Sequence, residues 1–208
     1  MLYNFHICVK RKSGRDFAWC FCWILFMAKI AVLGSGTGSN FQALLEEFAD
    51  EIVLVISDQP GAGILEKAKA AGIPTALEEA GPGLSARILK RLGGIDLICL
   101  AGYMRLVKDP LLSAFPNRIL NIHPSLLPMY PGKAAWEQVL ADKADVTGCT
   151  VHYVDAGIDT GEVILQEKVA ILMNDTAKTL HARIQIAEHR IYPEAVRLVL
   201  KKMTRGAL

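Results

Sequence analysis

The sequence predicts an α/β protein with an open, mostly parallel, Rossmann-like sheet, helices on both faces and an antiparallel edge hairpin near the C-terminus. Short and almost entirely apolar runs alternate with segments whose apolar residues recur at helical spacing. This alternation is typical of a parallel sheet that is covered on both faces. A glycine-rich turn separates the first apolar run from the first helical segment. Near the C-terminus two strand-like runs follow each other directly, which indicates a hairpin.

The elements are predicted from these runs and from the residues that break them. Apolar or alternating runs predict strands over residues 29–33, 52–57, 75–77, 95–101, 118–122, 149–154 and 161–171. Helical spacing between Gly or Pro breakers predicts helices over residues 41–48, 62–71, 84–92, 110–115 and 134–141. A long helix is expected to start at Asp175-Thr176 and to be kinked or ended near Pro193, because proline disrupts a helix interior.

Composition bounds the class of protein. A chain of 208 residues that is 52% hydrophobic is long enough for one well-buried domain. The net charge of +2 gives no footprint for nucleic acid or for a membrane surface. Five cysteines, odd in number and without Cys-x-x-Cys spacing, predict neither a disulfide framework nor a zinc site. We therefore expect a protein of the reducing cytoplasm that binds no metal.

Residues 1–26 do not match the pattern that follows them. A basic piece over residues 10–15 precedes an apolar run over residues 17–27, as in a secretion signal, but that run is shorter than the roughly 20 residues that span a bilayer. No small-x-small cleavage site separates the run from the first strand. We expect an atypical extension upstream of the true start at Met27, followed by a single domain over residues 27–208.

The glycine-rich turn predicts an anion site. A strand, a glycine loop over residues 34–40 and a helix N-terminus present backbone amides to a phosphate. One hypothesis is a nicotinamide-dependent reductase, since Asp58 ends the second strand where a dinucleotide site needs an acidic residue. A second is a transferase whose substrate carries one phosphate. A binding module without chemistry is the third, and it leaves the later polar motifs without a role.

The strand over residues 118–122 predicts the chemistry. Residues two apart in a strand point to the same face, so Asn121 and His123 project together at the carboxyl end of the strand. An amide donor beside an imidazole that titrates near neutral pH suits acyl transfer. A capping Asn and a satisfied His beside a proline-rich turn are the alternative on these two residues alone.

Six motifs together resemble the phosphoribosylglycinamide formyltransferase family, the folate-dependent enzymes of purine synthesis. In the order of the family, and over residues 28 to about 200, they are AVLGSGTGSN at 31–40, LAGYMR at 100–105, NIHPSLLP at 121–128, GCTVH at 148–152, DAGIDTG at 155–161 and AEHRIYP at 187–193. The resemblance implies transfer of the formyl group of 10-formyltetrahydrofolate to the amine of glycinamide ribonucleotide. It implies these two small molecules as partners, with neither nucleic acid nor membrane.

The resemblance also implies residue roles. The family's catalytic Asn, His and Asp fall on Asn121, His123 and Asp159. Its phosphate loop falls on Gly36, Thr37, Gly38, Ser39 and Asn40, and its glycinamide contact falls on Glu188. Its folate pocket falls on Met104, Arg105 and Leu106, with Asn121, Asp155 and Asp159. A core position for Met104 and a solvated helix position for Glu188 are the alternatives; His152 is expected to be a sheet residue and His189 a solvated charge.

Two departures from the family pattern limit these expectations. The segment between Gly72 and Ile95 is short, and Arg87 is the nearest counterpart of an arginine that the family carries there. Residues 133–136 read Lys-Ala-Ala-Trp, without the histidine of many relatives. Another folate-dependent enzyme is the alternative. Methionyl-tRNA formyltransferase would need a basic surface and a further C-terminal domain for tRNA, whereas a formyltetrahydrofolate hydrolase would share the catalytic trio.

Overall fold

The computed structural model describes residues 27–206, so the expectation for residues 1–26 lies outside the described residues. Seven strands form one sheet: β1 (Ile30–Leu33), β2 (Ile52–Ser57), β3 (Thr75–Leu77), β4 (Leu97–Leu100), β5 (Ile119–His123), β6 (Val146–Tyr153) and β7 (Val163–Ala170). Their order across the sheet is β3-β2-β1-β4-β5-β6-β7. The first five strands are parallel, and β6 is antiparallel to both β5 and β7. The predicted fold class is confirmed.

Six helices cover the sheet: α1 (Ser39–Phe48), α2 (Gly63–Ala70), α3 (Leu84–Arg91), α4 (Leu111–Ala114), α5 (Ala135–Ala141) and α6 (Ala177–Thr204). Side chains alternate along each strand, so β1 sends Ile30 and Val32 to one face and Ala31 and Leu33 to the other. The first face packs against α1, α2, α5 and α6, and the second against α3 and α4. None of the helices in the described part of the chain is long and apolar enough to cross a bilayer.

Of the two outcomes expected at Pro193, a kink or an end of the helix, the end is wrong, because α6 continues through Pro193 to Thr204. Packing explains why, since Tyr192, Pro193, Ala195, Val196 and other apolar residues on both sides of the interruption are buried against the sheet. The Tyr192 hydroxyl also donates to backbone carbonyl oxygens of β4 and β5, at 2.9 and 3.2 Å. This helix therefore lies across the strands that carry the predicted site.

The β6–β7 hairpin carries the Asp-bearing turn to the edge where the parallel strands end. A Cβ atom at Gly148 would lie 2.0 Å from the carbonyl oxygen of Glu167, and one at Gly161 would lie 1.8 Å from that of Tyr153. Both approaches are far below any tolerated contact, so only glycine fits at these two positions. The hairpin consequently closes tightly and holds residues 155–160 over the end of β5.

Candidate active site

Strand β5 brings Asn121 and His123 to one face of the sheet, as the strand period predicts. Its antiparallel neighbour β6 pairs His152 with Asn121 and Thr150 with His123. The Asn121 amide nitrogen lies 3.2 Å from Nε2 of His152. Two strands therefore contribute polar side chains to the same small region.

Asp159 completes this group from the turn that follows β6. Its Oδ2 lies 3.2 Å from Nδ1 of His123, and its Oδ1 lies 3.4 Å from Nδ2 of Asn121. The amide of Gly132 donates to Oδ2 at 2.8 Å and fixes the carboxylate. Asp159 has a φ of 55°, a left-handed conformation that aspartate adopts more readily than most residues. The structure thus brings together the three residues that the resemblance assigned to catalysis.

Each ring nitrogen of His123 faces an acceptor. Nε2 lies 2.8 Å from the carbonyl oxygen of Tyr130, which can only accept, so Nε2 carries a hydrogen. Nδ1 is then the nitrogen whose protonation varies with pH, and in the imidazolium its hydrogen points to Asp159. The carbonyl of Tyr130 is aimed by a left-handed backbone with a φ of 54°. The ring is therefore oriented from both sides before any substrate binds.

Two opposing effects set the pKa of His123. A neighbouring carboxylate is expected to raise this pKa, but burial of the ring lowers it more than Tyr130 and Asp159 raise it, so the pKa lies below its usual value. Burial also raises the pKa of Asp159, but the nearby His152 ring, the hydrogen bond from the Gly132 amide and the nearby His123 ring outweigh it, so the pKa of this carboxyl is lowered. Asp159 is thus ionised at neutral pH, and a protonated His123 is a stronger acid than free histidine.

His152 was left outside the catalytic set by sequence reasoning, yet it lies inside the cluster. Its Nδ1 donates to the carbonyl oxygen of Tyr153 at 2.8 Å, so in the neutral ring Nε2 accepts a hydrogen bond from the Asn121 amide. Nε2 also lies 3.6 Å from Oδ1 of Asp159. Only the register between β5 and β6 reveals this contact, because His152 is 31 residues away from Asn121 along the chain.

A cleft of about 1200 Å³ opens beside this group and is lined by Asn121, His123, His152 and Asp159. Met104, Arg105, Leu106 and Asp155 line it as well. Met104 is 63% exposed, so the alternative that it belongs to the core is wrong. Asp155 Oδ1 accepts bonds from the Gly157 amide and the Thr160 hydroxyl, which shape the turn that carries Asp159.

Asp58 lies at the end of β2, as a dinucleotide site requires, but its carboxylate is not accessible to a ligand. Its carboxylate accepts hydrogen bonds from Ser35, Gln59 and Arg105, at 2.5, 3.0 and 2.6 Å, and its side chain is fully buried. A ribose hydroxyl has no access to a carboxylate that is enclosed in this way. The geometry therefore speaks against the nicotinamide-dependent reductase.

The glycine loop presents free backbone amides at the start of α1. Among the described residues, the amides of Gly36, Thr37 and Gly38 donate to no protein acceptor. Gly38 has a φ of 74°, and a Cβ atom there would lie 2.8 Å from the Ile64 backbone. The loop is thus fixed by close packing on α2 and offers donors at a helix N-terminus, an arrangement that binds phosphate.

Glu188 is buried, so the alternative of a solvated helix charge is wrong. Asn40 Nδ2 donates to Glu188 Oε2 at 2.9 Å, while Asn40 Oδ1 is buried and lacks a partner among the described residues. Burial raises the pKa of Glu188, and the bond from Asn40 opposes this only in part. The pair consequently combines a carboxylate with a free acceptor, which suits a ligand that donates hydrogens.

The expectation that His189 is a solvated charge is wrong, because its side chain is partly buried. With Ser39, Gln42, Glu46 and Lys67 it lines a cavity of about 280 Å³ beside the glycine loop. Its Nε2 is buried without a partner among the described residues, and burial lowers the pKa of His189. The Lys67 ammonium donates to the carbonyl oxygen of Gly38 at 3.1 Å. The sequence pattern does not signal this burial, because the atoms that cover His189 Nε2 come from segments distant along the chain.

Comparison with known proteins shows the family to which the chain belongs. A family model described as formyl transferase matches residues 28–196. The chain is 42% identical over 192 residues to the phosphoribosylglycinamide formyltransferase of Bacillus subtilis (strain 168), covering 86% of this chain and 98% of that protein. This chain belongs to the phosphoribosylglycinamide formyltransferase family. The crystal structure of glycinamide ribonucleotide transformylase 1 from Symbiobacterium toebii superposes on this member with a TM-score of 0.80 at 48% identity, covering 83% of this chain and 87% of that one.

The family also includes parts of longer proteins. The chain is 42% identical over 196 residues to the trifunctional purine biosynthetic protein adenosine-3 of Bos taurus. That match covers 86% of this chain and 19% of the length of the relative. Family membership therefore rests on one domain that occurs both alone and within larger chains.

Two positions depart from the family pattern, and the structure shows what they do. Arg87 is the nearest counterpart of the family's arginine. Its guanidinium donates hydrogen bonds to the Glu78 carboxylate and to the carbonyl oxygens of Glu79 and Pro82. It fastens the short segment that precedes α3. Trp136, at the position after the two alanines, stacks on His181 of α6 with ring centroids 3.9 Å apart.

Proposed function

We propose that this formyltransferase family member transfers the formyl group of 10-formyltetrahydrofolate to the amine of glycinamide ribonucleotide, in purine (IMP) biosynthesis in the cytoplasm. One observation carries the proposal: Asn121, His123 and Asp159 line a large cleft, and an anion-binding loop lies at the end of a nearby strand. Only β4 separates β1 from β5, so the loop and Asn121 are two strand spacings apart, about 10 Å. A ribonucleotide extends over a comparable distance from its phosphate to its glycinamide amine.

The two halves of the site suit two different substrates. The free amides of Gly36, Thr37 and Gly38 suit the phosphate, and the buried pair Asn40 and Glu188 suits the glycinamide, which donates hydrogens. The cleft suits a folate in size and in chemistry, since exposed apolar side chains such as Met104 and Leu106 lie beside polar groups. The formyl carbon of a folate in this cleft would lie against β5, and the amine would reach it from the loop side.

The catalytic group stabilises the charges that develop in the reaction. As the amine attacks the formyl carbon, negative charge grows on the carbonyl oxygen. The Asn121 amide donates to this oxygen, and the ring of His123 places positive charge beside it when it is protonated. The lowered pKa of His123 makes this ring a better proton donor to the folate nitrogen that leaves. Asp159 is ionised, so its carboxylate can stabilise the positive charge on the attacking nitrogen and take up the proton that this nitrogen loses.

An assay of the purified protein with both substrates tests the proposal. Formyl folate should be consumed only when glycinamide ribonucleotide is present, with one formylated nucleotide formed for each folate released. Consumption without the nucleotide would show a hydrolase instead. Absence of turnover with both substrates would contradict the proposal. Tight binding of NADPH that competes with the nucleotide would favour a dinucleotide site in its place.

A further inference from the structure

A second polar cluster, built around the buried carboxylate of Asp58, links the glycine loop to the loop that lines the folate cleft. Ser35 belongs to the glycine loop after β1, Asp58 follows β2, and Arg105 lies in the loop after β4. Because β1 pairs with both β2 and β4, the carboxyl ends of the three strands lie side by side. We refer to Ser35, Asp58 and Arg105 as the Asp58 cluster. It lies outside the catalytic group and takes no part in the steps proposed above.

The contacts of the Asp58 cluster are short and they connect the two loops directly. Ser35 Oγ donates to Asp58 Oδ1 at 2.5 Å, and Arg105 Nε donates to Asp58 Oδ2 at 2.6 Å. The same Ser35 hydroxyl accepts from the amide of Met104 at 2.9 Å. The amide of Ser35 donates in turn to the carbonyl oxygen of Gly102 at 3.1 Å. The backbone on both sides of Tyr103 is therefore tied to the glycine loop.

Within the loop between Gly102 and Val107, Tyr103 packs on the core, but the next three residues are exposed. Met104 is 63% and Leu106 is 56% exposed, so neither side chain packs the loop against the core. The first buried side chain after the loop is Val107, which is 8% exposed. From Met104 to Leu106, the backbone conformation thus depends on the bonds that Asp58 and Ser35 provide.

We propose that Asp58 is a positioning residue that fixes the loop of Met104, Arg105 and Leu106 in the shape that receives formyl folate. The inference rests on the proposed function, because it assigns this loop to the folate. A loop that is ordered before binding loses less conformational entropy when the ligand arrives, so fixing it raises affinity. The catalytic group makes no contact with Asp58 and keeps its geometry when the carboxylate is changed.

The substitution Asp58→Asn tests the proposal with little change in volume. It leaves Arg105 and Ser35 without the carboxylate that accepts from both of them. The KM for 10-formyltetrahydrofolate should rise by about tenfold or more, equivalent to about 1.4 kcal/mol. The kcat at saturation and the KM for glycinamide ribonucleotide should stay within about threefold. Ser35→Ala, which removes the acceptor of the Met104 amide and leaves the Asp58–Arg105 pair, should shift the same constant in the same direction.

Asp175→Asn is the matched control. Asp175 is also a covered carboxylate paired with an arginine, Arg183, but it lies at the start of α6 and does not line the cleft. Its substitution should lower the melting temperature without changing the KM for the folate. If Asp58→Asn changes kcat and both KM values in parallel, or behaves like Asp175→Asn, the proposal is wrong.

Direct binding separates this inference from the proposed function. Calorimetric titration of the full chain with tetrahydrofolate measures folate affinity without turnover. A protein that binds tetrahydrofolate but transfers no formyl group would contradict the proposed function, while a weaker binding of at least about tenfold in Asp58→Asn would still support the role of Asp58. Unchanged binding in both Asp58→Asn and Ser35→Ala would overturn it. Should Asp58→Asn fail to fold, Ser35→Ala decides the outcome.

Discussion

The Asp58 cluster and the catalytic group are both polar and each contains buried side chains, but their contacts differ in length and in completeness. Hydrogen bonds to the Asp58 carboxylate measure 2.5 to 3.0 Å, and both of its oxygens are enclosed by protein donors. Contacts among Asn121, His123, His152 and Asp159 measure 3.2 to 3.6 Å, and all four residues line the cleft. Short and complete contacts fix a shape, whereas longer contacts that face a cavity leave donors and acceptors for a substrate.

The two groups also differ in what burial does to their charges. Burial raises the pKa of Asp58, but hydrogen bonds from Ser35, Arg105 and Gln59 outweigh it and lower that pKa, so the carboxylate stays charged and static. In the catalytic group, burial lowers the pKa of His123 while the adjacent carboxylate raises it, so the proton is held weakly. A weakly held proton is useful in catalysis, and a firmly held charge is useful in positioning.

The largest effect is expected from the catalytic group itself. Asn121→Ala, His123→Ala and Asp159→Asn should each lower kcat by at least about a hundredfold, because each removes a group that stabilises developing charge or moves a proton. Binding of glycinamide ribonucleotide, measured by calorimetry, should change little. The combined losses should be less than additive, since the three act as one unit. Asp50→Asn, at an exposed position, is the control and should leave kcat unchanged. Near-normal turnover in Asp159→Asn would show that Asp159 only shapes the turn.

A smaller effect, confined to the nucleotide, is expected at the glycine loop. A methyl group on the Cα of Gly36 would meet no other atom within 4 Å, and the backbone there is not left-handed, so Gly36→Ala should fold normally. The added methyl obstructs the approach of a phosphate to the loop amides, so the KM for glycinamide ribonucleotide should rise by about tenfold while that for the folate stays constant.

Gly93→Ala is the matched control for Gly36→Ala. Gly93 is exposed, equally unobstructed and distant from the loop. Its substitution should leave both KM values unchanged. A rise in the KM for the folate in Gly36→Ala, with none for the nucleotide, would show that the loop holds the other substrate.

A smaller loss of turnover is expected at His152, which contacts the Asn121 amide. His152→Ala removes the acceptor of one Asn121 hydrogen, so the amide loses part of its orientation. The loss of one such bond corresponds to about 1 kcal/mol, or roughly fivefold in kcat, with both KM values maintained. A loss as large as that of His123→Ala would move His152 into the catalytic set.

The smallest effect is a pKa shift that sharpens the contrast between the two groups. A titration of the histidine ring signals by NMR should give a pKa of His123 below the usual value of about 6.5, because burial dominates. Asp159→Asn should lower this pKa further, since the carboxylate raises it. A pKa above about 6.5 in the substrate-free protein would show that Asp159 outweighs burial.

The lowered pKa of His123 also makes the stability of the fold depend on pH. The folded state binds the proton of His123 more weakly than the unfolded state does, so its contribution is present above about pH 6.5 and is lost as pH falls through the folded pKa. The free energy of unfolding, measured with denaturant, should therefore fall more between pH 7.5 and pH 5.5 in the natural chain than in His123→Gln.

Local sequence patterns determined the strands, the glycine loop and the pairing of Asn121 with His123. These features depend on neighbours along the chain: apolar runs, the space that glycine leaves, and the two-residue period of a strand. The resemblance to the family added Asp159 and Glu188 to the predicted site. Helix α6 was predicted only in part, because packing on both sides of Pro193 overrides a local preference.

Contacts between distant segments were decided only by the tertiary structure. His152 joins the catalytic group through the register of β5 and β6, and Asp58 meets Ser35 and Arg105 because three strand ends lie side by side. The direction of the His123 pKa shift and the burial of His189 depend on how much water the whole fold excludes. Burial is a property of all the surrounding segments together, so no local pattern of residues determines it.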